Sequence, residues 1–235
     1  MEDILKEYSN TANPLFERFK DRAPGSAKHS VNVAELCESV ATELGLDPLL
    51  ARVCGLYHDI GKMVHPLNFT ENQDDENIHD KLEPFISYHL ITRHVSDTAL
   101  ILTNQTSLPK EVIDIVTRHH GSSVLASIYS KAKKEDIDRY RYPSAKPNCA
   151  YSSVLMICDV VEAFARSEFT AGKLDTAKKR ATVIDKGIER LVADEQLDEM
   201  KIGMLRVVKD KLLRELDSMF HSRVQYDDDE EEEDK

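Results

Sequence analysis

The chain lacks any run near the roughly 18 consecutive apolar residues that a membrane-spanning helix requires, and Met1-Glu2-Asp3 opens it without the basic and apolar regions of a secretory leader. These absences predict a soluble, cytoplasmic polypeptide that makes no membrane contact of its own, either a free-standing protein or a domain excised from a membrane protein. Paired cysteine spacings such as C-x-x-C are also missing. Cys37, Cys54, Cys149 and Cys158 each sit in apolar, helical-looking surroundings, so they are expected as small buried thiols in a reducing compartment rather than as zinc ligands or disulfides. Alternating β-branched runs are scarce, which argues against a sheet. No basic stripe offsets a net charge of −12, and this disfavours a nucleic-acid polymer as partner.

The charge itself is uneven. Asp227–Asp234 is an unbroken acidic run that, with Lys235, carries −7 and leaves −5 for residues 1–226. Such a run repels itself and buries nothing, so residues 227–235 read as a disordered, solvated tail behind a single domain over residues 1–226.

Apolar residues recur at helical spacing almost everywhere else, and the fold class is all-α. Asn13-Pro14 predicts a capped helix through about Phe19, and a second helix runs from Ser26 to Leu44 and stops at Gly45. Asp47-Pro48 opens a third that ends near His58–Gly61. Met63–Lys81 dissolves into Pro, Asn and Asp and reads as a long loop of the kind that is usually functional or mobile. Helices follow at Glu83–Asn104, Pro109–His120, weakly at Ser122–Tyr140, then at Ala150–Arg166, Thr170–Asp194 and Leu197–His221. The surface from Glu168 to His221 could pair with a second copy.

Seven polar residues stand out against this apolar background: His29, His58, Asp59, His94, His119, His120 and Asp159. Each falls at or within a helix that otherwise turns apolar residues inward, where an ionisable group left unpaired costs several kcal/mol. Taken one at a time, each has an ordinary explanation as a hydrogen-bonded core histidine, a capping group or a buried ion-pair partner. Together they fit divalent metal, since imidazole and carboxylate suit iron, manganese, zinc, cobalt or nickel. Seven ligands exceed what one ion can use while keeping room for water and substrate; two ions sharing a bridging carboxylate match the count.

The order H, HD, H, HH, D resembles the HD-domain superfamily of metal-dependent phosphohydrolases. The stretches HDIGKMVHPLNFTEN, NIHDKLEPFISYHLITRHV, LPKEVIDIVTRHHG, RYPSAKP and DEQLDE are similar to the catalytic domain of PgpH-type, seven-transmembrane HD cyclic-di-AMP phosphodiesterases, from about Leu15 to Tyr226. That resemblance implies a compact helical bundle around a dinuclear centre of iron or manganese. One ion would take His29, His58, Asp59 and Asp159, and the other His94, His119 and His120, with Asp59 bridging. It also implies hydrolysis of a cyclic dinucleotide to a linear, 5′-phosphorylated one by a hydroxide held between the metals. Gly121 after the paired histidines, and the absence of a Gly-Tyr-Pro loop, separate the chain from the branch that cleaves cyclic-di-GMP.

Beside the metal-binding set, Lys62 is placed to bind a phosphate oxygen, and the proline-broken loop RYRYPSAKPNC supplies Arg141 and Lys146 for a second phosphate. Tyr142 and Phe69 are candidates to stack on a base. The alternatives are a different cyclic oligonucleotide or a mononucleotide as substrate, and, in another class, a nucleotide-sensing module without chemistry. His65 and His79 are expected to order or line the loop, with His89 and His221 structural.

Overall fold

The computed structural model describes residues 1–73, 76–132 and 135–232 on the backbone, with side chains as far as Met219. The acidic tail expected at residues 227–235 and the side chain of His221 fall outside the described side chains. Among the described residues ten α-helices follow one another: α1 Glu2–Ser9, α2 Pro14–Arg22, α3 Pro24–Glu43, α4 Pro48–Tyr57, α5 Pro84–Gln105, α6 Lys110–Thr117, α7 Ala126–Tyr129, α8 Ala150–Thr170, α9 Ala177–Ala193 and α10 Ile202–Glu232. Among the described residues there is no strand, only one isolated antiparallel pairing of Val124 with Arg141. No helix among them is long and apolar enough to cross a membrane.

Caps read from the sequence do what their chemistry dictates. Asn13 Oδ1 accepts from the Leu15 N–H at 2.9 Å, and Asp47 Oδ1 accepts from the Leu49 and Leu50 N–H groups at 2.9 and 3.3 Å, satisfying donors that the first helical turn leaves open. Gly45 ends α3 at φ +68. Three expectations need correction, the first being that the last helix, expected from Leu197, starts at Ile202. Ser122–Tyr140 is mostly irregular, because Leu125 N–H donates to Tyr140 O and Tyr142 N–H to Ser123 O, tying two extended segments together around the short α7. The helix expected from Thr170 starts instead at Ala177: Gly172 turns the chain at φ +67 and Thr176 caps α9. Helix α1, with just Leu5 and Tyr8 buried and no side-chain cap, left too little pattern to be foreseen.

The core lies where α3, α4 and α8 cross, built on Val33, Leu36, Val53, Leu56, Leu155 and Ile157 among others. At roughly 1.5–3 kcal/mol for each large apolar side chain removed from water, this cluster is what holds the bundle together. A small residue sets the spacing of its two central helices. A Cβ added to Gly55 would lie 2.5 Å from Ala34 Cα, so glycine lets α4 close onto α3. That contact brings the end of α4 alongside the middle of α3, with the His29 and His58 rings 5.4 Å apart. A smaller cluster of Tyr88, Ile128, Ala132 and Tyr140 seats the 122–142 segment against α5. Cys37, Cys54 and Cys158 are buried, Cys149 is half-buried, and all four are free thiols.

Candidate metal centre

All seven residues converge. His29 comes from α3, His58 and Asp59 from the end of α4 and the turn after it, His94 from α5, His119 and His120 from the turn after α6, and Asp159 from α8. Asp59 is buried at the middle of the set and presents its two oxygens to opposite sides. Oδ2 lies 3.3 Å from His58 Nε2 and 3.8 Å from His29 Nε2, while Oδ1 lies 3.3 Å from His94 Nε2 and 3.6 Å from His119 Nε2. Asp159 Oδ1 is 3.0 Å from His29 Nε2, and its Oδ2 is 3.7 Å from His120 Nδ1. The potential ligand atoms fall into two groups, Asp59 with His94, His119 and His120, and His29 with His58 and Asp159, each within 4.8 Å.

The imidazoles are pre-oriented. His58, His94 and His119 each donate Nδ1–H to the carbonyl three residues earlier, those of Gly55, Ile91 and Val116, at 2.7, 2.7 and 2.5 Å. Their Nε2 atoms are thereby turned toward Asp59. His58 Nε2 and Asp59 Oδ1 are fully buried yet make no hydrogen bond. A buried polar atom without a partner costs about 1–3 kcal/mol, so two of them, one on each side of Asp59, mark a place built for something else. Nitrogen and oxygen donors with no thiolate among them fit a divalent transition metal.

The electrostatics separate the two groups. Burial alone would keep His29 and His58 neutral, but hydrogen bonds from His29 to Asp159 and Glu162 push it up to about 9, and Asp59 beside His58 pushes that ring up to about 10. His94 is driven the other way by burial, down to about 4, and burial together with the neighbouring His119 takes His120 well below its ordinary value. Asp59 and Asp159 stay ionised despite burial, the first held down by Lys62 and His58, the second by its hydrogen bond to His29 and by the nearby His58.

Lys62 is largely enclosed, with Nζ 2.7 Å from Asp59 Oδ2 and 2.9 Å from Glu71 Oε1 and 4.9 Å from the centre of the Phe69 ring. Phe69 stands edge-on to His94 at 5.5 Å, and the Tyr142 ring is 4.2 Å from that of His120. Both aromatic residues therefore wall the centre. Arg141 and Lys146 lie farther out, lining a hollow of about 400 Å³ with Ser122, Asp194, Glu195 and Gln196. Arg141 Nη1 donates to Asp194 Oδ1 and to Ser122 O at 2.8 and 2.9 Å, and Nε donates to Asp138 Oδ1 at 2.9 Å. Lys146 is more loosely held, 3.4 Å from Asp198 and 3.6 Å from Glu195. His79 is buried and donates Nε2–H to Asn68 O at 2.9 Å, ordering the loop, and the exposed His89 rests edge-on to Phe85.

Four supporting residues had no counterpart in the sequence reading. Glu162, one helical turn beyond Asp159, accepts from His29 Nδ1. Glu71 joins Lys62 to Ser26, whose hydroxyl donates to Glu71 Oε1 at 2.8 Å. Thr98 accepts the Gly61 N–H at 2.9 Å and donates to His58 O at 3.2 Å, stapling the turn after α4 to α5. Gln196, buried at the α9–α10 corner, accepts from Ser122 N–H at 3.0 Å and so pins the turn that carries His119 and His120. The i, i+3 spacing of Asp159 and Glu162 was the one legible signal among these.

The sequence profile of the HD domain matches residues 26–163, a span that contains all seven converging residues. The chain belongs to the HD domain family. The cyclic-di-AMP phosphodiesterase PgpH of Listeria monocytogenes serotype 1/2a (strain 10403S) is 37% identical over 232 residues, covering 96% of this HD chain and 32% of its own length. PgpH of Bacillus subtilis (strain 168) is 36% identical over 230 residues, covering 94% and 32%. This HD chain thus spans about a third of the length of these curated relatives. The crystal structure of the L. monocytogenes PgpH HD domain in complex with cyclic-di-AMP superposes with a TM-score of 0.83 at 36% identity, covering 88% of this chain and 97% of that one. The resemblance that the motifs carry is borne out.

Proposed function

We propose that the protein is a metal-dependent phosphodiesterase that opens a cyclic dinucleotide, cyclic-di-AMP by preference, to the linear 5′-phosphorylated dinucleotide in the cytoplasm. The observation that carries this reading is the pair of orphaned atoms, His58 Nε2 and Asp59 Oδ1, one in each half of a set of seven converging donors of which six are buried. Two ions of iron or manganese would be held there, one by His29, His58, Asp59 and Asp159, the other by His94, His119, His120 and the second oxygen of Asp59. When bound, such a pair supplies a hydroxide nucleophile at neutral pH and neutralises charge on the phosphoryl oxygens.

The chain's own residues do the rest. Asp59 fixes both halves of the site in one register by offering one oxygen to each. Lys62, clamped between Asp59 and Glu71, directs its ammonium at a non-bridging phosphate oxygen. Phe69 and Tyr142 exclude water from the centre and offer faces to a base. Water adds across the P–O3′ bond: the new P–O bond forms on one side, O3′ leaves on the other and takes up a proton. Arg141 and Lys146, in the neighbouring hollow, hold the second phosphate.

The test is to load the purified protein with manganese, incubate it with cyclic-di-AMP and separate the products. The linear dinucleotide is expected, formed faster than from other cyclic dinucleotides in the same panel. Metal-loaded protein that leaves every member of the panel intact would overturn the reading. The two outer cations predict a split. Lys146→Ala should raise KM by about 10- to 100-fold, the worth of a charged hydrogen bond of ~1.5–3 kcal/mol, with kcat and thermal stability little changed. Arg141→Ala should in addition lower the melting temperature, because it also cuts the bonds to Asp194 and Ser122 O.

A further inference from the structure

We propose that Glu162 makes the two metal positions unequal, so that the position served by His29, His58 and Asp159 fills first and holds its ion more tightly. This rests on the two-metal reading above and concerns which residues rank the positions. What separates them is how the ring nitrogens facing away from the centre are tethered. His58, His94 and His119 each give Nδ1–H to a backbone carbonyl, a neutral acceptor. His29 instead places Nδ1 2.5 Å from a carboxylate oxygen, Glu162 Oε2.

That carboxylate is built in rather than incidental. Glu162 is 4% exposed, and its other oxygen accepts from Asn32 Nδ2 at 2.8 Å. Arg166 Nε stands 3.4 Å from Oε2, one helical turn farther along α8. Helix α3 thus presents His29 and Asn32 three residues apart, and α8 answers with Asp159 and Glu162 at the same spacing. Three hydrogen bonds lock the helices face to face, with His29 Nε2 directed at Asp159, His29 Nδ1 at Glu162 and Asn32 Nδ2 at the other oxygen of Glu162.

A carboxylate behind an imidazole pulls on its N–H and raises electron density at the opposite nitrogen, making that nitrogen a stronger donor than one backed by a carbonyl. The His29 position also has Asp159 as a full carboxylate ligand, besides a share in Asp59. The His94, His119 and His120 position has Asp59 as its acid and carbonyls behind two of its rings. Donor strength and negative charge therefore both favour the His29 side. Glu162 touches no reacting atom; it is a positioning residue that acts through His29.

The full chain, stripped by chelation and titrated with manganese alone, tests this. The wild type should bind in two calorimetric steps, and at one equivalent its electron paramagnetic resonance should be that of an isolated ion. Glu162→Gln keeps the shape and an acceptor oxygen but removes the charge; it should weaken the tighter step by about 10- to 100-fold. With the weaker step unmoved, the two steps merge, and the spin-coupled pair should appear already at one equivalent beside empty protein. Asn32→Ala should shift the same step in the same direction by less, and serves if the first variant does not fold. His94→Ala should keep the tight step and lose the weak one. Two steps that neither Glu162→Gln nor Asn32→Ala moves, or a shift confined to the weaker step, would overturn the inference while leaving the two-metal reading standing. A wild type that binds no manganese would overturn that reading and this inference with it.

Discussion

Asp59→Ala is expected to abolish turnover and to leave the protein short of at least one metal ion. Asp59 lies between the two halves of the site: one oxygen is 3.3 Å from His58 Nε2 and the other 3.3 Å from His94 Nε2 and 3.6 Å from His119 Nε2, whereas Asp159, 3.0 Å from His29, comes no nearer than 3.7 Å to His120 on the other side. Removing it takes from the His94, His119 and His120 group its one acid and from the His29 and His58 group a neighbouring carboxylate oxygen. Even a loss of ~4 kcal/mol of transition-state stabilisation, modest for charge neutralisation by a metal pair, lowers the rate on the order of 10³-fold. The same change leaves the Lys62 ammonium with Glu71 as its remaining carboxylate, so that cation swings from its place as well. Asp59→Asn keeps the volume and separates loss of charge from loss of packing; it too should be inactive while melting close to the wild type. Metal content by elemental analysis and linear product by chromatography check both variants, and full activity in either one contradicts the assignment of Asp59.

The convergence of the seven residues was legible because each of them breaks a local pattern. His29 and Asp159 interrupt apolar helical stripes, and a buried ionisable group within such a stripe needs a partner that the sequence must supply elsewhere. The start of α2, the end of α3 and the start of α4 were legible for a similar reason: Asn13, Gly45 and Asp47 act on their own termini, within one turn. The supporting residues act at a distance. Glu162 lies 133 residues from the ring it orients, and Gln196 lies 74 from the amide it accepts. Glu162 on a helix face looks like any solvated acid until α3 is packed against it. The segment 122–142 failed for a related cause. Its ends, residues 123–125 and 140–142, are paired across an extended bridge on either side of the short α7, and pairing partners 15 to 19 positions apart leave no period to read.

Gly61→Ala should be the most destabilising single methyl in the protein's HD turn, although the added group is small and the backbone angles there suit alanine. The Cβ would lie 2.1 Å from His94 O and 2.6 Å from Thr98 N, both backbone atoms of α5 that cannot rotate away. Either the turn lifts off α5 or α5 shifts outward. In both cases the Gly61 N–H bond to Thr98 Oγ1 is lost and the 3.3 Å approach of His94 to Asp59 opens. Overpacking against an unyielding wall costs about 3 kcal/mol or more, which for a domain of this size lowers the melting temperature by roughly 6–12 °C. Gly203→Ala is the matched control. Its Cβ meets nothing within 4 Å, and alanine in a helix is worth up to ~1 kcal/mol over glycine, so that variant should melt at or above the wild type. The opposite signs matter for function, because the cost at Gly61 is local to the seam between the half carrying His58 and Asp59 and the half carrying His94. Metal affinity should therefore fall in Gly61→Ala even at temperatures where the fold persists, and should not change in Gly203→Ala. Thermal melts and manganese titrations of the two variants side by side decide it; a Gly61→Ala protein that binds metal as the wild type does would show that the turn is not what holds the halves together.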